Sequence, residues 1–320
     1  MKLQDRKSLK LLKLKRRYLI AIGFVTGMFL ASCFYSEKEL IFPEAAALSL
    51  VYLVIDKGVW KVNYIQIFFV FTAYSFLGIC FVKFSPFGII PNFLIASFLA
   101  LFGFVVTKTN IYPAFSAMLL PIVLHVDSWV YCFAVMGIVT LLIFVQFMME
   151  MSGLRHPTNH KSLSLKRDNW VKWLVCRWSV ISLCAVIPVY YDIRLMLVPP
   201  IIVAYLEISS TKSDLRYHPQ HILFLLICGA LLGTFAQMVL VGCWHIPSFV
   251  AFPLCLSLEF AIFEWTKRRF APAGALVLIP AILHGCDVAA FPFFVICGAF
   301  LFVTAGRIHT KLSERYSILE

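Results

Sequence analysis

Residues Tyr112–His125 read YPAFSAMLLPIVLH, and a closely related stretch, APAGALVLIPAILH, occupies Ala271–His284. The two stretches align without a gap at an offset of 159 residues, which carries Tyr112 onto Ala271. Both contain two prolines eight positions apart and a histidine four residues after the second proline. Because proline is rare inside helices, this shared pattern predicts a duplicated structural unit rather than a chance likeness of two apolar helices.

The composition places the duplicated unit in a membrane. The chain has 320 residues, of which 61% are hydrophobic and 14% are charged, whereas soluble domains have about 45–50% apolar and about 25% charged residues. Apolar runs of membrane-spanning length recur along the chain. An internal repeat in such a protein indicates first a transporter built from repeated halves.

The apolar runs predict twelve helices, six in each half, in the order long, short, long, long, short, long. The four short helices begin at or near proline, which is favoured at the first helical position. The sequence therefore predicts an all-α polytopic membrane protein made of two tandem six-helix repeats. The expected helices cover residues 18–35, 43–56, 64–83, 91–106, 112–125, 128–151, 170–190, 197–210, 220–243, 247–266, 271–284 and 288–306.

The Lys and Arg residues gather on one side of this arrangement. With the N-terminus inside, 24 of the 28 Lys and Arg residues fall in inside segments, and the outside segments hold only Lys38, Lys83 and Arg194. The positive-inside rule then predicts cytoplasmic N- and C-termini in a plasma membrane, of the bacterial cytoplasmic type. The expected segments are a basic N-terminus (1–17), membrane repeat 1 (18–151), a basic linker (152–169), membrane repeat 2 (170–306) and a cytoplasmic tail (307–320).

The net charge of +12 indicates a lipid partner rather than a nucleic acid. Basic segments next to membrane helices attract anionic lipid headgroups, and no soluble element offers a basic face for nucleic acid. The ten cysteines lie in or beside apolar runs without a C-x-x-C pair, so no metal site and no cofactor is expected. A homo-oligomer is left open.

The first turns of the short helices are the predicted substrate site. A helix N-terminus carries about half a positive charge and several N–H groups without helical partners, which suits an anion. The alternative, that the prolines simply begin short structural helices, stays open. The residues of this hypothetical anion site are Pro43, Glu44, Pro113, Ala114, Pro199, Pro200, Pro272, Ala273 and Gly274.

Four basic residues recur at an offset of 155 residues and are predicted at the inner mouth. They are Lys57, Lys61, Lys212 and Arg216. They could attract an anion, or they could serve only to orient the chain in the membrane. The same offset carries Gly78 onto Gly233, and small residues at such positions indicate close helix contacts.

Ionisable residues within apolar runs are functional candidates, because charge is costly in the membrane. Glu44, directly after Pro43, could couple transport to protons, or it could be a capping acid near the outer surface. Glu207 lies deeper in its helix. His125 and His284 end the two related short helices, where they could act in a gate, or could form ordinary interfacial hydrogen bonds.

The stretch Phe270–Ala275, FAPAGA, resembles the signature of the HPP family of integral membrane proteins, which is a His-Pro-Pro motif typically continued by Ala-Gly-Ala. Here Phe270 and Ala271 stand in the His and first Pro positions, so only the latter part matches. The resemblance implies a compact helical unit, here doubled, and small-anion transport. A second resemblance, of Arg216 to Gly233, is to the fusaric-acid and aromatic-acid exporter family, whose six-helix units are also duplicated.

These features together predict a membrane permease for a small or organic anion that binds between two repeats. A non-transporting scaffold, sensor or assembly protein remains an alternative, as does a lipid-handling intramembrane enzyme or a flippase. An enzyme is not expected, since the chain carries neither a common catalytic motif nor a soluble domain to hold one.

Overall fold

The computed structural model describes residues 2–55, 62–156, 169–210 and 217–316, with side chains described from residue 11 to residue 314. These residues form twelve α-helices and no strand, so the predicted all-α class and helix number are confirmed for the part of the chain described. The helices are α1 (Lys2–Tyr35), α2 (Glu44–Ser49), α3 (Tyr64–Phe84), α4 (Ile89–Thr107), α5 (Pro113–Leu124), α6 (Val130–Met151), α7 (Trp170–Tyr190), α8 (Pro199–Ile208), α9 (Pro219–Phe235), α10 (Ser248–Thr266), α11 (Ala271–Leu278) and α12 (Cys286–Tyr316).

Eight of these helices are long and apolar enough to cross a membrane: α1, α3, α4, α6, α7, α9, α10 and α12. In their most apolar stretches only 33% to 44% of the residues are buried in the protein. Large apolar side chains such as Phe34, Leu183 and Phe293 point outward. An outward-facing apolar surface on this many helices suits contact with lipid.

The four remaining helices, α2, α5, α8 and α11, lie at the centre of the bundle. Every residue of these short helices is buried except Leu124 at the end of α5, which is half-buried. Helix α2 packs on α11 and on α5, while α8 packs on α5 and on α11. Gly274 at the start of α11 lies against Ala46 of α2, where an added Cβ atom would stand 3.6 Å from the Ala46 Cβ. The predicted short helices therefore form one core surrounded by the long ones.

The long helices bring the two halves of the chain together reciprocally. Helix α1 of the first half packs on α10 of the second, and α7 of the second half packs on α4 of the first. The rings of Phe29 on α1 and Phe252 on α10 stack with centroids 4.9 Å apart. Across the other contact, Trp178 Nε1 on α7 donates a hydrogen bond of 3.0 Å to the Leu94 carbonyl of α4.

Glycine permits the closest helix approach in each half, as the sequence predicts. A Cβ atom at Gly78 of α3 would collide with the backbone carbonyl of Met118 on α5. At Gly233 of α9 a Cβ atom would stand 2.5 Å from the carbonyl oxygen of Val277 on α11. Met118 and Val277 are themselves related by the offset of 159 residues. The same backbone contact therefore forms between α3 and α5 and between α9 and α11.

Helix ends differ from the sequence prediction at several places. Helix α1 begins at Lys2 rather than at residue 18, because residues 2–17 are rich in Leu, Lys and Arg and lack Gly and Pro. Helix α12 likewise continues to Tyr316 rather than ending at 306. Helix α2 widens into a π-helical turn over Leu50–Val54, and α11 ends in a 3₁₀ turn over Ile279–Ala281, earlier than predicted.

Candidate functional site

The predicted substrate-site residues lie where the central helices begin, and all are buried. Pro43 precedes α2, Pro113 begins α5, and Pro272 is the second residue of α11. Two prolines in succession, Pro199 and Pro200, open α8. The structure thus brings these residues into one core. Their role in binding an anion stays a prediction.

Several backbone N–H groups at these helix starts already have acceptors, and prolines there have none to offer. In α5, Ala114 N–H donates to the Ile111 carbonyl at 2.9 Å. In α11, Ala273 N–H donates to the Phe270 carbonyl at 3.2 Å. Proline contributes no N–H group to any of the four first turns. An anion at these positions would need the first turns to rearrange.

Glu44 is the buried acid at the start of α2. Its side chain is 1% exposed and lies beside Ser116 of α5, with Glu207 of α8 and Tyr131 of α6 in electrostatic range. Neither carboxyl oxygen has a hydrogen-bond partner among the described residues. An ionised carboxyl group in such a place is costly unless a cation lies beside it, whereas a protonated carboxyl group is neutral and avoids this cost. Glu44 therefore lies in the interior of the protein, whereas the sequence was also compatible with a capping acid near the outer surface.

Two further acids are buried in the second half. Glu207 is 8% exposed near the end of α8, and its Oε1 atom has no hydrogen-bond partner in the described part of the chain. Glu259 is fully buried in α10, close to Cys228 of α9. Its carboxyl oxygens also have no partner among described residues. Glu259 was not among the predicted site residues, although its position within an apolar run could have marked it as a candidate.

His125 and His284, the predicted gate residues, are exposed at the ends of the central helices. His125 ends α5 in the left-handed conformation, with φ of 56°. It lines a cavity of about 450 Å³ together with Asn92 and Arg194. The two histidines do not lie in the core with Glu44, so the structure divides the predicted coupling and gating residues between two places.

The four basic residues predicted at the inner mouth, Lys57, Lys61, Lys212 and Arg216, lie outside the described residues. Other basic side chains are found at the neighbouring helix ends. Arg17, 6% exposed, donates from Nε to the Leu154 carbonyl at 2.8 Å and from Nη1 to the Val54 carbonyl at 3.4 Å. Arg155 donates to the carbonyls of Tyr52 and Ile55.

These two arginines cap the short helix that starts at Glu44. Helix C-termini carry partial negative charge and carbonyl groups without helical partners, so cations stabilise them. The sequence analysis assigned Arg17 to a cytoplasmic anchor and Arg155 to a linker. Their contacts could not be foreseen because they depend on the chain after α6 turning back towards α1 and α2.

Arg177 is the corresponding arginine of the second half, on α7. Its side chain is 2% exposed, and Nη2 donates to the Ser209 carbonyl at the end of α8 at 2.8 Å. The guanidinium lies 4.6 Å from the centre of the Trp173 ring. The neighbouring His309 of α12 is 7% exposed, and its Nδ1 lies 3.0 Å from the Tyr205 hydroxyl. A buried arginine in an apolar helix long enough to span a membrane is a functional candidate, and Arg177 was not among the site residues predicted from the sequence.

No three His, Cys, Asp or Glu side chains come together within the described ranges in a way that could hold a metal ion. The groups that could act chemically are therefore the carboxyl groups of the core and the arginines at the ends of α2 and α8. Comparisons with protein-family models, with curated proteins and with solved structures find no match. The resemblances to the HPP and aromatic-acid exporter families accordingly stay hypotheses.

Proposed function

We propose that the chain is a proton-coupled permease for a small or organic anion in a plasma membrane. The single observation that carries the proposal is the position of Glu44. Its carboxyl group is buried at the start of a short, interrupted helix, beside Ser116 of α5 and in electrostatic range of Glu207 of α8. Ionisable groups at such places in membrane proteins commonly mark ion and proton pathways.

In this proposal the chain consists of two tandem six-helix units with cytoplasmic termini. The support is the same order of long and short helices in both halves, and the related glycine contacts of α3 with α5 and of α9 with α11. The reciprocal packing of α1 on α10 and of α7 on α4 adds to it, since two equivalent bodies make matching contacts in both directions. Glu44 belongs to one unit and Glu207 to the other, and the two acids lie in electrostatic range of each other across the boundary along which the units would move.

The coupling follows from the cost of charge in the core. A carboxyl group at Glu44 that holds a proton is neutral and is tolerated between packed helices, whereas the ionised group needs water or a cation. Movement of α2 and α5 against α8 and α11 would therefore be easiest with the proton bound. An anion carried in the same step adds a negative charge that the proton offsets, which favours symport over movement of the anion alone.

Purified protein in liposomes tests this function. Vesicles are loaded with a pH-sensitive dye and given an inward proton gradient, and nitrite, formate and benzoate are offered in turn. We expect at least one anion to enter faster with the gradient than without it, and the lumen to become more acidic as the anion enters. Uptake of none of these anions at any gradient, by protein shown to be folded, would overturn the permease proposal.

Close packing of the core favours a second candidate, a non-transporting scaffold or assembly protein. The central helices are buried except at the end of α5, and the Ala114 and Ala273 N–H groups at the starts of α5 and α11 already have acceptors. A scaffold predicts no uptake of solutes and a stable partner that co-purifies in detergent. Absence of both uptake and partner would leave neither candidate standing.

A lipid-handling role is the third candidate, and an apolar groove favours it. A cavity of about 360 Å³ lies between α1 and α6, lined by residues such as Phe24, Met28, Phe133 and Leu141. An acyl chain suits such a lining. Translocation of fluorescent lipid analogues in the same liposomes distinguishes this role from anion uptake.

A further inference from the structure

Arg177 is a buried cation that uses only part of its hydrogen-bonding capacity. Of its five N–H groups, one on Nη2 donates to the Ser209 carbonyl at 2.8 Å. Nε and Nη1 are buried and have no hydrogen-bond partner among the described residues. The Trp173 ring covers one face of the guanidinium, with 4.6 Å from Cζ to the ring centre. A buried guanidinium with donors left over is costly, so a missing acceptor is indicated.

The corresponding arginine of the first half, Arg17, has an acceptor that Arg177 lacks among the described residues. Arg17 of α1 and Arg177 of α7 both donate to a carbonyl at the end of the short helix that follows, Val54 for Arg17 and Ser209 for Arg177. Arg17 has a second acceptor, the Leu154 carbonyl, which receives Nε at 2.8 Å and Nη2 at 2.5 Å. Within the described part of the chain, Arg177 has no such second carbonyl acceptor.

The difference has a structural reason. Helix α6 ends at Met151, and the chain then turns, so that the Leu154 carbonyl is available to Arg17. Helix α12 of the second half, by contrast, runs on as a helix to Tyr316. Helical carbonyls there are engaged in the helix itself. The His309 side chain of this helix lies in electrostatic range of Arg177, whereas in the first half a backbone carbonyl accepts from Arg17.

His309 also has an unused nitrogen. Its Nδ1 lies 3.0 Å from the Tyr205 hydroxyl, while Nε2 is buried without a hydrogen-bond partner in the described part of the chain. The Tyr112 and Tyr205 side chains lie within electrostatic range of Arg177. Glu207, the acid of α8 two residues before Ser209, forms no hydrogen bond with the guanidinium. Among the described residues, no carboxylate therefore forms a hydrogen bond with the guanidinium.

We propose that Arg177 and His309 bind a small carboxylate or oxyanion between α7, α8 and α12. The anion accepts from Nε of Arg177, the atom that in Arg17 donates to Leu154, and Trp173 stacks on the guanidinium beside it. This proposal rests on the proposed function in one respect, since the bound anion would be the cargo held at the basic end of the bundle. The same chemistry would suit the phosphate of an anionic lipid, and the experiment separates the two sources.

Binding to the purified full-length protein in neutral detergent tests the site without transport. Sodium formate and sodium phosphate are titrated at constant ionic strength, and the melting temperature and tryptophan fluorescence are recorded. We expect saturable stabilisation of about 2 °C or more at ten times the dissociation constant. The fluorescence change should disappear in Trp173→Phe, because that ring lies on the binding group.

The variants decide whether Arg177 is responsible. Arg177→Gln should abolish the formate and phosphate shifts, and His309→Gln should weaken them about tenfold in apparent affinity. Arg307→Gln is the matched control, since Arg307 is an exposed arginine of α12 in the same half and should leave both shifts intact. Should Arg177→Gln not fold, Arg177→Lys serves instead and should also weaken binding, because an ammonium lacks the Nε donor. Parent-like shifts in the folded Arg177 variant would overturn the site.

The source of the anion is read from nanodiscs. With phosphatidylcholine alone, binding of free formate supports a soluble anion. If phosphatidylglycerol nanodiscs weaken formate binding in the parent and in Arg307→Gln alike, the lipid phosphate competes for the Arg177 site, whereas unchanged formate binding assigns the site to a soluble anion. Anion binding that depends on Arg177, in a protein that transports nothing in liposomes, would uphold the site and overturn the permease. Transport that persists in Arg177→Gln without measurable binding would do the reverse.

Discussion

The ring of Phe29 on α1 stacks on the ring of Phe252 on α10, with centroids 4.9 Å apart and planes within 8° of parallel. Both side chains are fully buried, and they join the first helix of one half of the chain to the fourth helix of the other. The contact is one of two reciprocal ones, the other being that of α7 with α4. The stability of the molecule should therefore depend on contacts between halves as much as within them.

Truncation of this stacked pair tests that dependence. Phe252→Ala should lower the free energy of unfolding by about 3 kcal/mol, because a buried aromatic ring leaves a cavity when removed. Phe34→Ala is the control, since Phe34 is 82% exposed and points outward. The measurement is urea or thermal unfolding in detergent. Equal effects of the two substitutions would argue against a packed interface between the halves.

The glycine contacts give a sharper prediction about close helix approach. Gly78→Ala should destabilise the protein by about 2 kcal/mol, because the new methyl group collides with the Met118 carbonyl. Gly137→Ala is the matched control in α6, where an added Cβ atom meets nothing within 4 Å. There we expect no loss, or a gain of up to about 1 kcal/mol from helix propensity. Melting temperatures of the two variants compared with the parent decide the matter.

Arg17 and its neighbour Arg16 differ in burial but not in charge. Arg17→Gln removes the donors to the Leu154 and Val54 carbonyls and should cost about 2 kcal/mol. Arg16 is exposed, so Arg16→Gln should change stability by less than about 0.5 kcal/mol. Unfolding in detergent measures both. A similar loss in the two variants would show that charge near the membrane, rather than the carbonyl contacts, is what matters.

The orientation of the chain can be tested with its own cysteines. Cys33 and Cys286 are exposed at the end of α1 and at the start of α12, and Cys243 is exposed at the end of the π-helical segment Ala236–Cys243 that follows α9. The order of the helices puts all three on the side opposite to the basic N-terminal segment. With cytoplasmic termini, a membrane-impermeant maleimide added to intact cells should label these three positions. A cysteine introduced by Lys311→Cys should react only after permeabilisation. Labelling of the introduced cysteine alone in intact cells would reverse the proposed orientation.

Much of the architecture could be predicted because it is encoded locally. Proline marks the starts of α5, α8 and α11, and apolar run length separates the four central helices from the eight long ones. The glycine offset likewise predicted a close helix contact at Gly78, although the partner helix α5 was not predicted. These features need no knowledge of which helices meet across the two halves.

The candidate site was less accessible to sequence reasoning. Arg17 was expected in the basic cytoplasmic N-terminus, where positive residues belong in any case, and Arg177 was not among the predicted site residues. Their carbonyl partners come from other helices, and Leu154 becomes an acceptor only because the chain turns after α6. Glu44 was recognised as unusual, yet its depth depended on α2 lying against α5 and α11. Tertiary contacts of this kind leave no periodic signal in the sequence.

The most direct test of the central claim is anion uptake by the Glu44→Gln variant in liposomes, compared with the parent and with Glu37→Gln at the exposed turn after α1. Glutamine keeps the shape of the side chain but cannot exchange a proton. The account predicts that the ratio of uptake with and without an inward proton gradient falls to about one in Glu44→Gln. Coupling requires a group whose affinity for a proton differs between the conformations of the permease, and glutamine binds no proton. Glu37→Gln should keep the parent ratio. An unchanged gradient dependence in a folded Glu44→Gln protein would contradict the account.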